Sequence, residues 1–389
     1  MLRRIPLTAR DSEEAHRGAT QLELFFDLVA VIAIAAATHE FRHALSSGHG
    51  AQGIVQFLMV FFLIWWPWQQ YTWFSSSFDN DDSVQRLAVM VLMLGFMGIA
   101  ASVPLVFSGG ERGSLLMSYA LMRAVQLFLW RRVAAHNPEH RATANRYSAC
   151  LGLTFCYWVG LNAWAPTTVH AWQAWVLLGY GLELAVPLVA NGPKRTPWHR
   201  GHIVERYGLM MIITLGEILL YSVEALRLLV GPAGDPAVLP LVLCGPAITF
   251  ALWALYFSGE GHLDTSGYWP VFSWSYGHFL VFVAVAGVGT GLGVSIDTLQ
   301  APAHGVASAN LGHLAISVPA GLATFGLWLV RDRTHLAGVG DLPLVALAVL
   351  IAVSGMGPFA PFTTCALLIA ALAWRQYWLR ASDRTPIAR

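Results

Sequence analysis

The residues able to do chemistry in this chain are few, and most stand inside long apolar runs. Glu23 and Asp27 are four apart, and so share one face of a helix. Arg123 and Glu183 follow, then His202, Glu205 and Arg206 in one block, Glu217 twelve residues beyond Glu205, and His278. An ionisable group inside a membrane costs about 2.5–3.5 kcal/mol on insertion scales, so such positions raise ion pairing, proton exchange or ion passage as their use. Twelve residues are about 18 Å of helix, which puts Glu217 at a depth like that of Arg123, ten residues in from its loop. Matching depth and opposite charge predict that Arg123 pairs with one of Glu183 or Glu217. Glu23 suits a helix N-terminus, where a carboxylate satisfies free amides and the dipole. Asp27 lies a full turn deeper and calls for a buried partner such as Arg206, or for a cation.

A second group is the run Asp79, Asn80, Asp81, Asp82, close before Arg86. Clustered carboxylates can hold Mg²⁺ and, through it, a diphosphate; the same residues also make a solvated turn ending in a helix cap. Gly287, Gly289, Gly291 and Gly293 alternate with no strand before them, which points to close helix packing or a locally irregular helix and not to a phosphate cradle. Cys150, Cys156, Cys244 and Cys365 lie in apolar stretches without CxxC spacing and read as small buried residues.

The elements that must position these groups are membrane helices. Of 389 residues 56% are hydrophobic and 12% charged, about half the charge of an ordinary soluble domain. Apolar runs predict an all-α polytopic bundle of about twelve transmembrane helices, near 22–41, 53–74, 84–107, 113–131, 146–164, 169–190, 203–230, 237–258, 271–297, 307–330, 341–355 and 359–380. Residues 1–19 lack the apolar core of a cleavable leader, so the first helix is expected to be retained. With both termini cytoplasmic, nineteen of the 23 Lys and Arg fall on the inner side and three, Arg42, Arg112 and Arg227, in outer loops. Tryptophans such as Trp65, Trp66, Trp68, Trp164, Trp198, Trp374 and Trp378 read as interfacial anchors. A net charge of +1 gives no reason to expect a nucleic-acid partner.

An internal repeat is visible. Leu22, Glu23 is echoed by Val204, Glu205 at a shift of 182, and Trp73, Phe74, Ser75 with Asp81 by Tyr256, Phe257, Ser258 with Asp264 at 183. The expected organisation is a cytoplasmic segment 1–21, a six-helix half 22–190, a cytoplasmic linker 191–201, a second six-helix half 202–380 and a cytoplasmic tail 381–389. Six being even, the halves would be parallel repeats.

The motifs resemble those of the low temperature requirement protein A family of bacterial multi-pass membrane proteins. The opening Leu22, Glu23, Leu24, Phe25, Phe26, Asp27, Leu28, Val29 looks like its hallmark. Further signatures resemble Tyr71, Thr72, Trp73 with Phe78 to Asp82 and Arg86, then His202 to Leu209 leading to Leu215, Gly216, Glu217, and finally Tyr276, Gly277, His278. The resemblance implies a bacterial plasma-membrane location and carries no general biochemical activity. A more distant likeness links Phe25, Phe26, Asp27 to the Phe-Ser-Asp opening of the lysosomal and bacterial potassium channel family, which has two six-helix repeats; Phe26 departs from its Ser.

Beside a nonenzymatic scaffold or lipid-adaptation role, two functions are consistent with these residues. One is movement of a small ion or solute through the bundle, with Asp27, Arg123, Glu183, Glu217 and His278 available for charge or proton exchange. The other is a membrane enzyme acting with Mg²⁺ on a lipid or isoprenoid diphosphate at the cytoplasmic face, where Glu23, Asp79, Asp81, Asp82, Arg86, His202, Glu205, Arg206, His262 and Asp264 would gather. The lipid bilayer is a partner under both.

Overall fold

The computed structural model describes residues 5–15, 17–164, 168–192, 196–232, 234–258, 263–265, 267–300, 309–333, 342–357 and 359–384. Among them there are twelve α-helices: α1 Gln21–Ser46, α2 Gly50–Phe78, α3 Ser83–Phe107, α4 Gly113–His136, α5 Arg141–Trp164, α6 Val169–Ala190, α7 Arg200–Val230, α8 Leu239–Phe257, α9 Tyr268–Gln300, α10 Ala309–Leu327, α11 Leu342–Val353 and α12 Ala360–Arg384. Eight are long and apolar enough to cross a membrane: α1, α2, α3, α6, α7, α8 with its leading 3-10 turn, α9, and α10 with the π turn Trp328–Asp332. In α4, α5 and α12 the apolar run is interrupted by more polar residues, and α11 is short.

Several helices run past their apolar stretches. α1 continues to Ser46, past Arg42 and its carboxylate partners, and α2 runs from Gly50 to Phe78, its last carbonyls capped by Arg17. Starts are set by local capping. Thr20 accepts from the Glu23 amide while the Glu23 carboxylate accepts from the Thr20 amide, a reciprocal capping box that opens α1. Asp82 opens α3 by accepting from the Gln85 amide at 2.7 Å. Gly48 after α1 and Gly109 after α3 take φ of 83° and 76°, a left-handed conformation that a side chain resists.

The inward faces carry the charges and the outward faces are apolar. On α1, Phe26, Ala30 and Ala33 are buried beside Glu23 and Asp27, while Leu24, Phe25, Leu28 and Ile32 are exposed. On α3, Leu87, Met90, Leu94 and Met97 form an exposed stripe, and Val89, Phe96, Ile99 and Val103 are buried. In water such stripes would be a liability; against lipid tails they are the proper surface.

The chain divides into two compact units, residues 1–37 with 58–207, and 38–57 with 208–389. α1, α2 and α7 contribute to both. In the first unit α3, α4, α5 and α6 pack in sequence order; in the second α9 packs on α10, α10 on α11, and α12 on α8 and α11. The alternating glycines of α9 serve close packing on two faces. A Cβ at Gly291 would meet the backbone of Ala315 and Ile316 on α10, and one at Gly289 would lie 3.2 Å from Glu217 of α7. Burial of all four cysteines does not hold. Cys244 and Cys365 are buried, but Cys150 is half-buried and Cys156 is exposed on α5, an apolar face that needs no cover in lipid.

Candidate functional site

In the first unit α1 and α7 run side by side and bring four of the expected residues together. Arg206 grips Asp27 with two hydrogen bonds, Nη2 to Oδ1 at 2.5 Å and Nε to Oδ2 at 3.0 Å. His202 Nε2 lies 3.2 Å from each Glu23 oxygen, and Arg206 Nη1 lies 3.0 Å from Glu23 Oε1 at an angle that makes an ion pair without a hydrogen bond. Trp68 donates its indole N–H to Asp27 Oδ1 at 2.7 Å. All four side chains are fully buried. Two carboxylates and one guanidinium sum to −1, so one proton on His202 or on a carboxylate makes the cluster neutral. Asp27 thus has the arginine partner its depth calls for. Glu205 stays outside, exposed, accepting from the Ala19 amide at 3.3 Å.

A second buried pair completes the first unit. Arg123 Nη1 lies 3.1 Å from Glu183 Oε2, which resolves the expected pairing in favour of Glu183 over Glu217. The carboxylate also accepts from Trp66 Nε1 at 3.1 Å and Trp158 Nε1 at 2.9 Å, and the guanidinium lies 5.0 Å from the Tyr119 ring centre. Trp66 and Trp68 are therefore not interfacial anchors: both sit mid-helix on α2 and hold buried carboxylates, while Trp164 is exposed as an anchor would be.

The aspartates of the run are held by protein partners. Asp81 forms a two-point pair with Arg86, 2.9 and 2.6 Å, on the surface. Asp82 takes Arg132 at 2.6 Å together with the amides of Gln85 and Ile5, and Asp79 accepts from the Asp81 amide. Burial pushes the Asp82 carboxyl up, but Arg132 and the two amides outweigh it and hold the group below the usual carboxylate range. Asp79 goes the other way, raised by burial and then by the Glu23 charge. Among the described residues no three of His, Cys, Asp and Glu converge as metal ligands, so the Mg²⁺ expected at Asp79, Asp81 and Asp82 under the enzyme reading has no built site. His262 lies outside the described residues.

The second unit holds the remaining expected residues. Glu217 accepts from the Thr38 hydroxyl at 2.8 Å and has no Lys or Arg at ion-pair distance among the described residues. His278 is locked, its Nδ1–H donating to the Trp274 carbonyl at 2.7 Å and its Nε2 accepting from the Tyr256 hydroxyl at 3.2 Å.

Sequence reasoning missed two charge networks of this unit. Arg42, expected in an outer loop, is on α1 and makes two-point pairs with Glu224 (2.9 and 3.0 Å) and Asp297 (2.9 and 2.6 Å). The signal was its place four residues beyond Thr38, on the same face as that residue. Arg331 and Arg375 share Asp332, and they cap the end of α8 through the carbonyls of Leu255, Tyr256 and Ser258. Arg17 caps α2 in the first unit likewise, on the carbonyls of Ser75 and Ser76. Ser75 and Ser258 are the positions matched by the internal repeat at a shift of 183.

A chain whose described residues form helices, eight of them long and apolar, with apolar outer faces and most of its buried charges paired, is a polytopic integral membrane protein. It belongs to the bacterial low temperature requirement A (LtrA) family, whose match covers residues 18–382. A protein of Rhizobium meliloti (strain 1021), designated RA0937, is 28% identical over 243 residues, 60% of this chain and 57% of that protein. The chain therefore spans under two thirds of the length of this relative. No solved structure matches.

Proposed function

We propose that this protein moves a small ion or solute across the bacterial plasma membrane, with Glu217 as the carboxylate that meets the moving proton or cation. One observation carries the reading. Glu23, Asp27 and Glu183 each have an arginine within ion-pair distance, and Glu217, at comparable burial, has a hydroxyl instead. A carboxyl without an arginine partner is free to take up a proton or a mobile cation, and both are exchangeable. The paired clusters then serve as fixed framework. Both termini are cytoplasmic on this reading, following the bias of basic residues to one side. The two halves are read as parallel repeats, which is supported by the arginine-capped ends of α2 and α8 at matched positions.

The test is flux in sealed proteoliposomes under imposed H⁺, K⁺ and Na⁺ gradients, comparing wild type with Glu217→Gln. Loss of flux in a folded variant is the expected result. Unchanged flux would remove Glu217 from the path, and no flux in folded, inserted wild type would overturn transport.

A further inference from the structure

Glu217 stands at the inner end of a polar column built by three helices of the second unit. On α1 the column is Thr38, Arg42, Ser46; on α7 it is Glu217, Tyr221, Glu224; on α9 it is Gly289, Gly293, Asp297. Each set steps by one helical turn, three or four residues at a time, so all three helices run in the same direction along it. Contacts join the sets level by level. Thr38 bonds Glu217, with Gly289 against it; Arg42 lies over Tyr221, 5.1 Å from the ring centre, with Gly293 against it; Ser46 donates to Asp297 at 2.7 Å.

Exposure rises along the same axis. Thr38 and Glu217 are 0% and 8% exposed, the Arg42 side chain 14%, and the side chains of Asp297 and Glu224 31% and 39%. Arg42 therefore occupies the one level between the buried carboxylate and the water-facing ones. Its fit is specific. A Cβ at Gly293 would fall 2.6 Å from Arg42 Cδ and 2.9 Å from the Tyr221 ring, so glycine is what leaves the side chain room to lie there. One guanidinium held by two carboxylates also leaves a net charge of −1 at the outer end, more acid than a packing pair needs.

We propose that Arg42 is the outer gate of the Glu217 path: parked on Glu224 and Asp297 it closes the column, and leaving them it opens Glu217 to water. The inference rests on the transport reading of Glu217. While parked, the gate fills the column and cancels one of the two carboxylate charges that a cation approaching from outside would meet. Once withdrawn, it leaves two carboxylates and a hydroxyl that attract one.

The test reads access and not flux. Thr38→Cys is introduced into the full chain with Cys150, Cys156, Cys244 and Cys365 replaced by alanine, and its rate of modification by a cationic aminoethyl methanethiosulfonate is measured in detergent. His49→Cys, on the exposed loop after α1, is the accessible control. With Arg42 present the thiol introduced by Thr38→Cys should react slowly; with Arg42→Gln it should react at least tenfold faster; with Arg42→Lys it should stay near the slow rate. The anionic sulfonatoethyl reagent should gain much less, because Glu224 and Asp297 remain. Equal rates with Arg42 intact and with Arg42→Gln, or equal gains for both reagents, would overturn the gate. Where Arg42→Gln does not fold, Gly293→Ala displaces the guanidinium by its methyl group and should give the same acceleration, and its absence in a folded variant overturns the proposal equally. Gated labelling without flux in wild type would sink the transport reading alone; flux through Glu217 without gated labelling would sink the gate alone.

Discussion

Arg206 reaches Asp27, 179 positions earlier in the chain, through both Nε and Nη2, and the carboxylate's remaining contact is the indole of Trp68. His202 meets Glu23 at the same separation, and Thr38 meets Glu217 at it too. A constant separation is what two helices running in the same direction at fixed height produce, and it is close to the 182-residue shift that relates Glu23 to Glu205.

Removing one member of the Asp27–Arg206 pair should cost far more than removing both. Arg206→Met leaves two carboxylates buried without their cation, a loss of about 3–5 kcal/mol. Asp27→Leu combined with Arg206→Met should recover a large part of it, read as the unfolding midpoint in detergent. A double variant worse than the sum of the singles would show that the pair is not a closed unit.

Trp158→Phe should destabilise by about 1–3 kcal/mol, because the lost N–H leaves one oxygen of the buried Glu183 unsatisfied. Trp164→Phe, at an exposed position, should stay within about 0.5 kcal/mol. Thermal unfolding followed by intrinsic fluorescence separates the two.

Asp79 and Asp82, three residues apart, should answer pH with opposite signs. The Asp82 carboxyl is lowered in the folded protein, so its contribution is present above the ordinary aspartate range and is lost as pH falls through the lowered value. The Asp79 carboxyl is raised, so its contribution is present below that range and is lost as pH rises through the raised value. Asp82→Asn should therefore weaken the protein at neutral pH and Asp79→Asn strengthen it, with both differences shrinking in acid. A Tm series from about pH 3 to 8 checks the pair.

Gly291→Ala and Gly216→Ala should differ sharply. A methyl at 291 meets the Ala315–Ile316 backbone, and overpacking there should cost about 1–3 kcal/mol or more. Gly216, beside Glu217, has open space at its Cβ, and alanine there should be neutral or stabilising by up to about 1 kcal/mol. Loss of flux in a stable Gly216→Ala would show that the glycine serves motion and not packing.

The helices and the candidates Glu23, Asp27, Arg123, Glu183 and Glu217 were legible because apolar length and isolated charge are local signals. Partner choice was not. Arg123 found Glu183 because Trp66 and Trp158 converge on the same carboxylate, a three-helix coincidence that no spacing announces. Arg42 was misplaced because the apolar run stops at 41 while the helix continues to Ser46. Trp66 and Trp68 read as anchors by residue type, although their depth of about half a helix already argued otherwise. The aspartate run left a metal site and a capped turn both open, because spacing cannot reveal that Arg86 and Arg132 arrive as counterions.

The arginine caps join segments made at very different times during synthesis. Arg17 waits 58 residues for Ser75, so the end of α2 can be closed soon after that helix leaves the ribosome. Ser258 waits 117 residues for Arg375, on the last helix described. Until α12 arrives, Arg331 alone of these two arginines can hold the end of α8, and a nascent chain halted between them carries a half-closed helix end.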